Sequence, residues 1–248
     1  SSDLRTDLPV KKGLSSSAAV CVLTARAFNR IYDLKLTTRG EMEMAYAGEI
    51  TTPSRCGRLD QGCAYGNRPV RMTFDGDQVE VDELLTGGDI HMLIVDLNAS
   101  KDTREILRQL NQCYPFPEGE AQELVHDYLG RRNRELVEAG CDALANGDAR
   151  RLGELMTTAQ QEFDRCLMPM CPAQLTAPVL HKLLACDAVQ PHIYGGKGVG
   201  SQGDGTAQLV ARDEAAARAA AEIIERDLAM PCLKLTLKSR RGVRKAVI

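Results

Sequence analysis

The run Pro9-Val-Lys-Lys-Gly-Leu-Ser-Ser-Ser-Ala-Ala19 constrains this chain more than any other segment, because it joins a turn directly to a long buried helix. The stretch AAVCVLTARAFNRIY at 18–32 is rich in Ala and holds neither Gly nor Pro. In it Val22, Ala25, Phe28 or Asn29, and Tyr32 recur at helical spacing. Ser15, Ser16 and Ser17 stand at its start, where side-chain oxygens can cap free amides. Gly13 permits a tight approach of the backbone, so the amides of the helix start can form an anion site suited to phosphates. A hydroxyl there can also ligate Mg2+, which takes oxygen ligands and retains water. The same residues equally describe an N-capped helix whose small side chains allow close packing.

Further elements follow from periodicity and punctuation. A second helix is expected over 39–51. VRMTF at 70–74 and QVEV at 78–81 read as strands around Asp75-Gly76-Asp77, a hairpin signal. HMLIVDL at 91–97 is a continuous apolar run, the mark of a strand covered on both faces. Helices are then expected over about 103–112, 120–145, 149–165 and 177–188, broken by Pro115, Pro117, Gly147-Asp148 and the stretch 168–172. A glycine-rich loop, GGKGVGSQGDG at 195–205, leads to a strand at 207–211, a helix at 213–228 and a closing strand near 233–237. The order is α+β without internal repeats. A seam near 84–89, at Gly87-Gly88, divides it into domains over 1–86 and 87–248.

Composition excludes several classes. With 44% hydrophobic and 26% charged residues, the 248-residue chain has a globular balance rather than that of a disordered or fibrous protein. A net charge of -3 offers no excess of Lys and Arg for nucleic acid or anionic lipid. No apolar run approaches the ~20 residues that span a bilayer. Trp is absent, so the core must be aliphatic and a stacking platform for bases is disfavoured. The nine Cys show no CxxC spacing and the four His form no cluster, which argues against zinc. Scattered Cys of this kind serve as small core hydrophobes and suit a reducing cytoplasm. The chain begins SSDLRTDLP, with no initiating Met and no targeting segment, and residues preceding Ser1 are expected.

Two more constellations can carry chemistry. Glycine is entropically costly, so the density at 195–205 points to a functional loop, with a flexible surface connector as the alternative. It fits neither GxxxxGK[ST] nor a Rossmann fingerprint, since it precedes a strand. Glu49 and Asp60 flank a turn that includes Ser54, Arg55, Cys56, Gly57, Arg58 and Leu59. One carboxylate can hold a metal while the other accepts a proton, the division of labour that phosphoryl transfer requires. Taken alone, such carboxylates equally read as solvated or capping groups.

Together these segments resemble the GHMP kinases (galactokinase, homoserine kinase, mevalonate kinase and phosphomevalonate kinase). Pro9, Gly13, Leu14, Ser15, Ser16, Ser17, Ala18 and Ala19 are similar to the family's second motif, PxxxGL[GS]SSAA. The 195–205 segment resembles the third motif, KLTGAGGGG-like, matching at Lys197, Gly200, Gly203 and Gly205, with Gln202 and Asp204 in place of small residues. The resemblance implies a two-domain α+β kinase fold with a ferredoxin-like C-terminal half, using ATP and Mg2+. It implies Asp60 as catalytic base, Ser17 and Glu49 as metal ligands, and Asp60 with Gln61 at the acceptor. Lys12, Gly13, Leu14, Ser15, Ser16, Ser17, Ala18, Gly198, Gly200 and Ser201 would meet the ATP phosphates. The family's first motif, and the Arg or Lys beside its catalytic Asp, would lie upstream of Pro9. The chain is therefore expected to be an incomplete enzyme, a fragment or the partner of a separate N-terminal piece of the same protein.

For the acceptor, Cys56-Gly57-Arg58-Leu59-Asp60-Gln61 is more similar to the CGxxDQ of galactokinase-type enzymes than to the SGxDN of mevalonate kinases. The continuation Gly62-Cys63-Ala64-Tyr65-Gly66 resembles the DQxxAxxGG of heptose-phosphate and related sugar kinases. The resemblance thus implies transfer of the ATP γ-phosphoryl group to a hydroxyl of a sugar or sugar derivative. The alternatives are a mevalonate-type isoprenoid kinase and a galactokinase-like regulator that binds ATP and sugar with little turnover.

Overall fold

A computed structural model of the chain describes residue 5 and residues 14–52, 57–66 and 68–240. It divides into two compact units between Leu84 and Leu85.

In the first unit α1 (Ser16–Ile31) packs against α2 (Thr38–Glu49), and a 3-10 helix (Asp60–Tyr65) packs against both. Thr37 starts α2 by accepting from the Gly40 amide, with Glu41 favouring the positive end of the helix dipole. Glu41 does more than that. Arg26 of α1 donates to it at 2.7 Å and to the Ala64 carbonyl at 2.7 Å, while Asn29 donates to it at 2.9 Å. Burial opposes ionisation of Glu41, but these bonds outweigh it and hold its pKa below the usual carboxylate range. Arg26, paired with Glu41, thus ties all three helices together around Val22, Met42, Ala45, Ala64 and Tyr65. The expected hairpin is present as β1 (Val70–Asp75) and β2 (Gln78–Glu83), antiparallel, with Asp75 paired to Gln78.

The second unit is a four-stranded antiparallel sheet of β3 (Ile90–Asp96), β4 (Ile193–Gly198), β5 (Thr206–Ala211) and β6 (Cys232–Leu237). Its spatial order is β4-β5-β3-β6. Helices fill the β3-to-β4 connection and α9 (Glu214–Leu228) joins β5 to β6, which is the ferredoxin-like arrangement. The long connection holds α3 (Thr103–Asn111), α4 (Glu120–Asp127), α5 (Asn133–Asn146), α6 (Ala149–Cys166), α7 (Pro172–Leu175) and α8 (Pro178–Leu184). β3 is covered on both faces. Leu93 and Val95 meet Leu180, Leu209 and Ile224, while Ile90 and Met92 meet Met156 and Val210.

Three expectations need correction. The helix expected over 120–145 is interrupted by a π turn at Tyr128–Arg132. The helix expected over 177–188 is the shorter α8, because Ala177 is left-handed and Pro178 fixes a fresh start. The segment 195–205 is only partly a loop, since Gly195 to Gly198 belong to β4. The reason is steric. A Cβ on Gly195 would lie 2.2 Å from the Gly153 carbonyl of α6, and one on Gly153 would lie 2.6 Å from Tyr194 Cβ. The first glycines of the cluster let a helix press its backbone onto a strand.

Candidate active site

Ser15 takes a left-handed conformation (φ 53, ψ 42) and turns the chain into α1. Its hydroxyl makes no capping bond to the first helical turn, which corrects the expectation from the serine run. Instead it donates to the carboxylate of Asp60. The first helical bond runs from Ala19 N–H to Ser15 O at 3.1 Å. The amides of Ser16, Ser17 and Ala18 therefore precede the ladder, and the first turn carries no acidic residue. Ala18 is fully buried and anchors this end of the helix, whereas Leu14 and Ser17 are exposed. Lys12 and Gly13 lie outside the described residues.

Asp60 opens the 3-10 helix, partly buried. Burial raises its pKa, the Ser15 hydroxyl lowers it, and the charge of Glu49 raises it again, with a net upward shift. Glu49 closes α2 and is 1% exposed. Gln61, 0% exposed, donates its amide to Glu49 at 2.7 Å. This corrects the expectation that Gln61 meets the acceptor, since its side chain is sealed inside and holds Glu49. Cys63 also belongs to the neighbourhood. Burial, then Asp60, then Glu49 push its thiol upward in pKa. Its place three residues after Asp60, one helical turn on, was the signal available in the sequence.

A carboxylate and a hydroxyl, Glu49 and Ser17, are the hard oxygen donors that Mg2+ prefers. Among the described residues no group of three or more His, Cys, Asp or Glu is placed to hold an ion. A magnesium shell here would be completed by substrate phosphates and water, the usual habit of that ion.

In the second unit the loop proper runs over 199–205. Gly198 has its N–H donated to Gln160 at 2.8 Å, its carbonyl accepting from Lys197 at 2.7 Å, and the Gln202 side chain against its α-carbon. With its amide so engaged, Gly198 is not a free phosphate donor, contrary to expectation. Gly200 is left-handed (φ 60) with open space around it. Ser201 Oγ meets Thr103 Oγ1 at 3.5 Å. Asp204 accepts from the Leu180 amide at 2.8 Å and so caps α8, which accounts for an acid where the resembled motif has a small residue. Lys101, which nothing in the sequence singled out, donates to the Val199 carbonyl at 2.9 Å. No helix among the described residues is long and apolar enough to cross a membrane.

Residues 1–67 match the sequence model of the GHMP kinases N terminal domain. No curated relative matches the chain in sequence. Solved structures share its fold. A mevalonate kinase from L. major in complex with R-mevalonate is 17% identical, over 92% of this chain and 67% of that one, with a TM-score of 0.71. A galactokinase from Lactococcus lactis complexed with galactose is 15% identical, over 94% and 67%, with a TM-score of 0.68. A phosphomevalonate kinase from Streptococcus pneumoniae in complex with phosphomevalonate and AMPPNP is 15% identical, over 89% and 68%, also at 0.68.

Proposed function

We propose that this chain, a member of the GHMP kinase superfamily, supplies the phosphate-binding helix and the catalytic base of an ATP-dependent phosphotransferase acting on a hydroxyl of a sugar or sugar derivative. The observation that carries the reading is the hydrogen bond from Ser15 to Asp60. It ties the carboxylate to the residue that begins α1, so an anion at the helix start and a proton acceptor lie one side chain apart.

Each residue has a role that follows from its surroundings. The amides of Ser16, Ser17 and Ala18, aligned with the helix dipole, hold phosphate oxygens. Asp60 takes the proton of the attacking hydroxyl, and its raised pKa makes it a stronger base than an ordinary carboxylate. Ser15 orients that carboxylate. Glu49, held by Gln61, and Ser17 offer the oxygen ligands for a metal. When bound, ATP supplies the γ-phosphoryl group and Mg2+ neutralises the charge on it. The sugar-type acceptor is supported by the sequence from Cys56 to Gln61, and the fold likeness to a galactose-bound galactokinase is compatible with it.

ADP release by the full-length protein with a panel of sugars, sugar acids and mevalonate tests this. Turnover with a sugar compound, lost by at least ~100-fold in Asp60→Asn, is the expected result. Turnover with mevalonate alone would replace the acceptor class, and saturable ATP and sugar binding without turnover would make the protein a regulator.

A further inference from the structure

We propose that Lys101 and Lys197 form a dibasic site for an oxyanion, a phosphate or a carboxylate, at the 199–205 loop of the second unit. Topology brings the two lysines together. β3 and β4 both run antiparallel to β5, which lies between them. Their C-terminal ends therefore share one end of the sheet, about 10 Å apart at two strand spacings. Lys101 follows β3 on the way into α3, and Lys197 is the penultimate residue of β4. The two ammonium groups then meet consecutive carbonyls, Lys197 Nζ donating to Gly198 at 2.7 Å and Lys101 Nζ to Val199 at 2.9 Å.

What distinguishes this pair is the lack of a counter-charge. Among the described residues neither lysine forms an ion pair with a carboxylate. The acids beside them are turned to the backbone. Asp102 accepts from the amides of Arg104 and Glu105 at the start of α3, and Asp204 from that of Leu180. Burial pushes the pKa of both lysines down to about 8, and the charge of Lys101 adds to the effect on Lys197. Two carbonyls could be satisfied by neutral donors at no such cost. Bringing two cations together in a half-buried place is useful where an anion arrives to neutralise them.

The loop is shaped around these side chains. A Cβ on Gly203 would lie 3.2 Å from Lys101 Cβ, and one on Gly205 would lie 3.1 Å from Lys101 Cε. These glycines thus leave room for the lysine stem, a task separate from the packing role of Gly195. The hydroxyls of Ser201 and Thr103, which meet at 3.5 Å, are neutral donors from the same loop and the same helix start. Under the proposed phosphotransferase activity, on which the ligand's source rests, the anion belongs either to the acceptor or to the nucleotide. The first makes the acceptor a sugar phosphate or sugar acid rather than a neutral sugar.

The test follows the lysine 13Cε resonances of the full-length protein through a pH titration. Two resonances should titrate near pH 8, apart from the surface lysines, and vanish in turn from Lys101→Met and Lys197→Met. Saturating inorganic phosphate should move both midpoints upward, because a bound anion favours the ammonium form. Midpoints that phosphate leaves unmoved overturn the proposal, and this reading needs only the wild-type protein should the variants fail to fold. Adding glucose 6-phosphate, glucuronate or ATP in turn assigns the source, by which of them moves the midpoints, with glucose as the neutral control. A chain with no kinase turnover but phosphate-sensitive midpoints keeps this site and loses the proposed activity, so the two fail separately.

Discussion

The first unit sets two carboxylates, Glu41 and Asp60, in different surroundings, and the second unit half-buries two ammonium groups. Glu41 is paired with Arg26 and its pKa falls. Among the described residues Asp60 is met by the Ser15 hydroxyl and by no cation, faces the like charge of Glu49, and its pKa rises. Among the described residues Lys101 and Lys197 meet backbone carbonyls and no carboxylate, and theirs fall. A charge that the fold needs for itself is neutralised by an opposite charge. A charge given only neutral dipoles is held at a cost that a ligand or a proton can relieve. That contrast separates Glu41 from Asp60, although both stand on helices in the same unit.

The largest effect expected from this contrast is on turnover. Asp60→Asn should lower kcat by ~100- to 10,000-fold, the usual worth of a general base. Its stability should not fall. A carboxyl whose folded pKa is raised is destabilised as an anion at every pH above that pKa, so at pH 7 the neutral amide removes a cost. Glu41→Ala should do the reverse, leaving kcat nearly intact while costing about 1–3 kcal/mol, since Arg26 and Asn29 lose their partner. Steady-state kinetics beside thermal melts decide it. A stability loss in Asp60→Asn as large as that in Glu41→Ala would erase the distinction between the two acids.

Next comes a test within the glycine cluster. Gly195→Ala should cost at least ~2 kcal/mol, because its φ of 155 and a 2.2 Å approach to the Gly153 carbonyl leave no place for a methyl group. Gly200→Ala meets open space and only the left-handed backbone penalty, about 1 kcal/mol. Denaturant midpoints compare the two. Equal losses would mean that the cluster is one loop after all.

That outcome bears on how far the sequence was readable. The first helix and the hairpin were legible, because hydrophobic period and turn residues are local signals, whereas the ferredoxin-like sheet was expected from the family resemblance. The 195–205 segment was misread where its glycines answered to α6, forty residues earlier, since close packing leaves only small residues as its trace. Asp60 and Glu49 were legible as a pair through their motif. Lys101 was not, because a single Lys between a strand and a helix is ordinary until the sheet brings β4 beside β5. The sealing of Gln61 was hidden for the same reason, as its partner Glu49 belongs to another helix.

A smaller and pH-dependent effect should follow from the lysines. A Lys whose folded pKa lies near 8, below its unfolded value, binds fewer protons when folded between those two values. Unfolding then takes up protons, so the stability of the wild type should rise as pH climbs from 8 toward 10. The double variant Lys101→Met/Lys197→Met lacks this term. It should melt above the wild type at pH 7, and the gap should close by about pH 10. A gap that stays constant across that range would show that the variant acts through packing and leave the charge pair without energetic meaning.

The smallest effect concerns Ser15. If the hydroxyl capped α1, Ser15→Ala would cost about 1 kcal/mol of stability and leave the chemistry alone. The hydroxyl donates to Asp60 instead, and that bond lowers the carboxyl pKa. Removing it should therefore raise the pKa of Asp60 further, leaving burial and the charge of Glu49 unopposed. An essential base must be ionised in the free enzyme, so the acidic limb of kcat/KM should move to higher pH in the variant, with the melting temperature almost unchanged. The comparison is a pH–rate profile of wild type and Ser15→Ala from pH 5 to pH 9, beside a melt at pH 7. A cap-sized loss of stability with an unmoved acidic limb would return Ser15 to the helix and take away its bond to the proposed base.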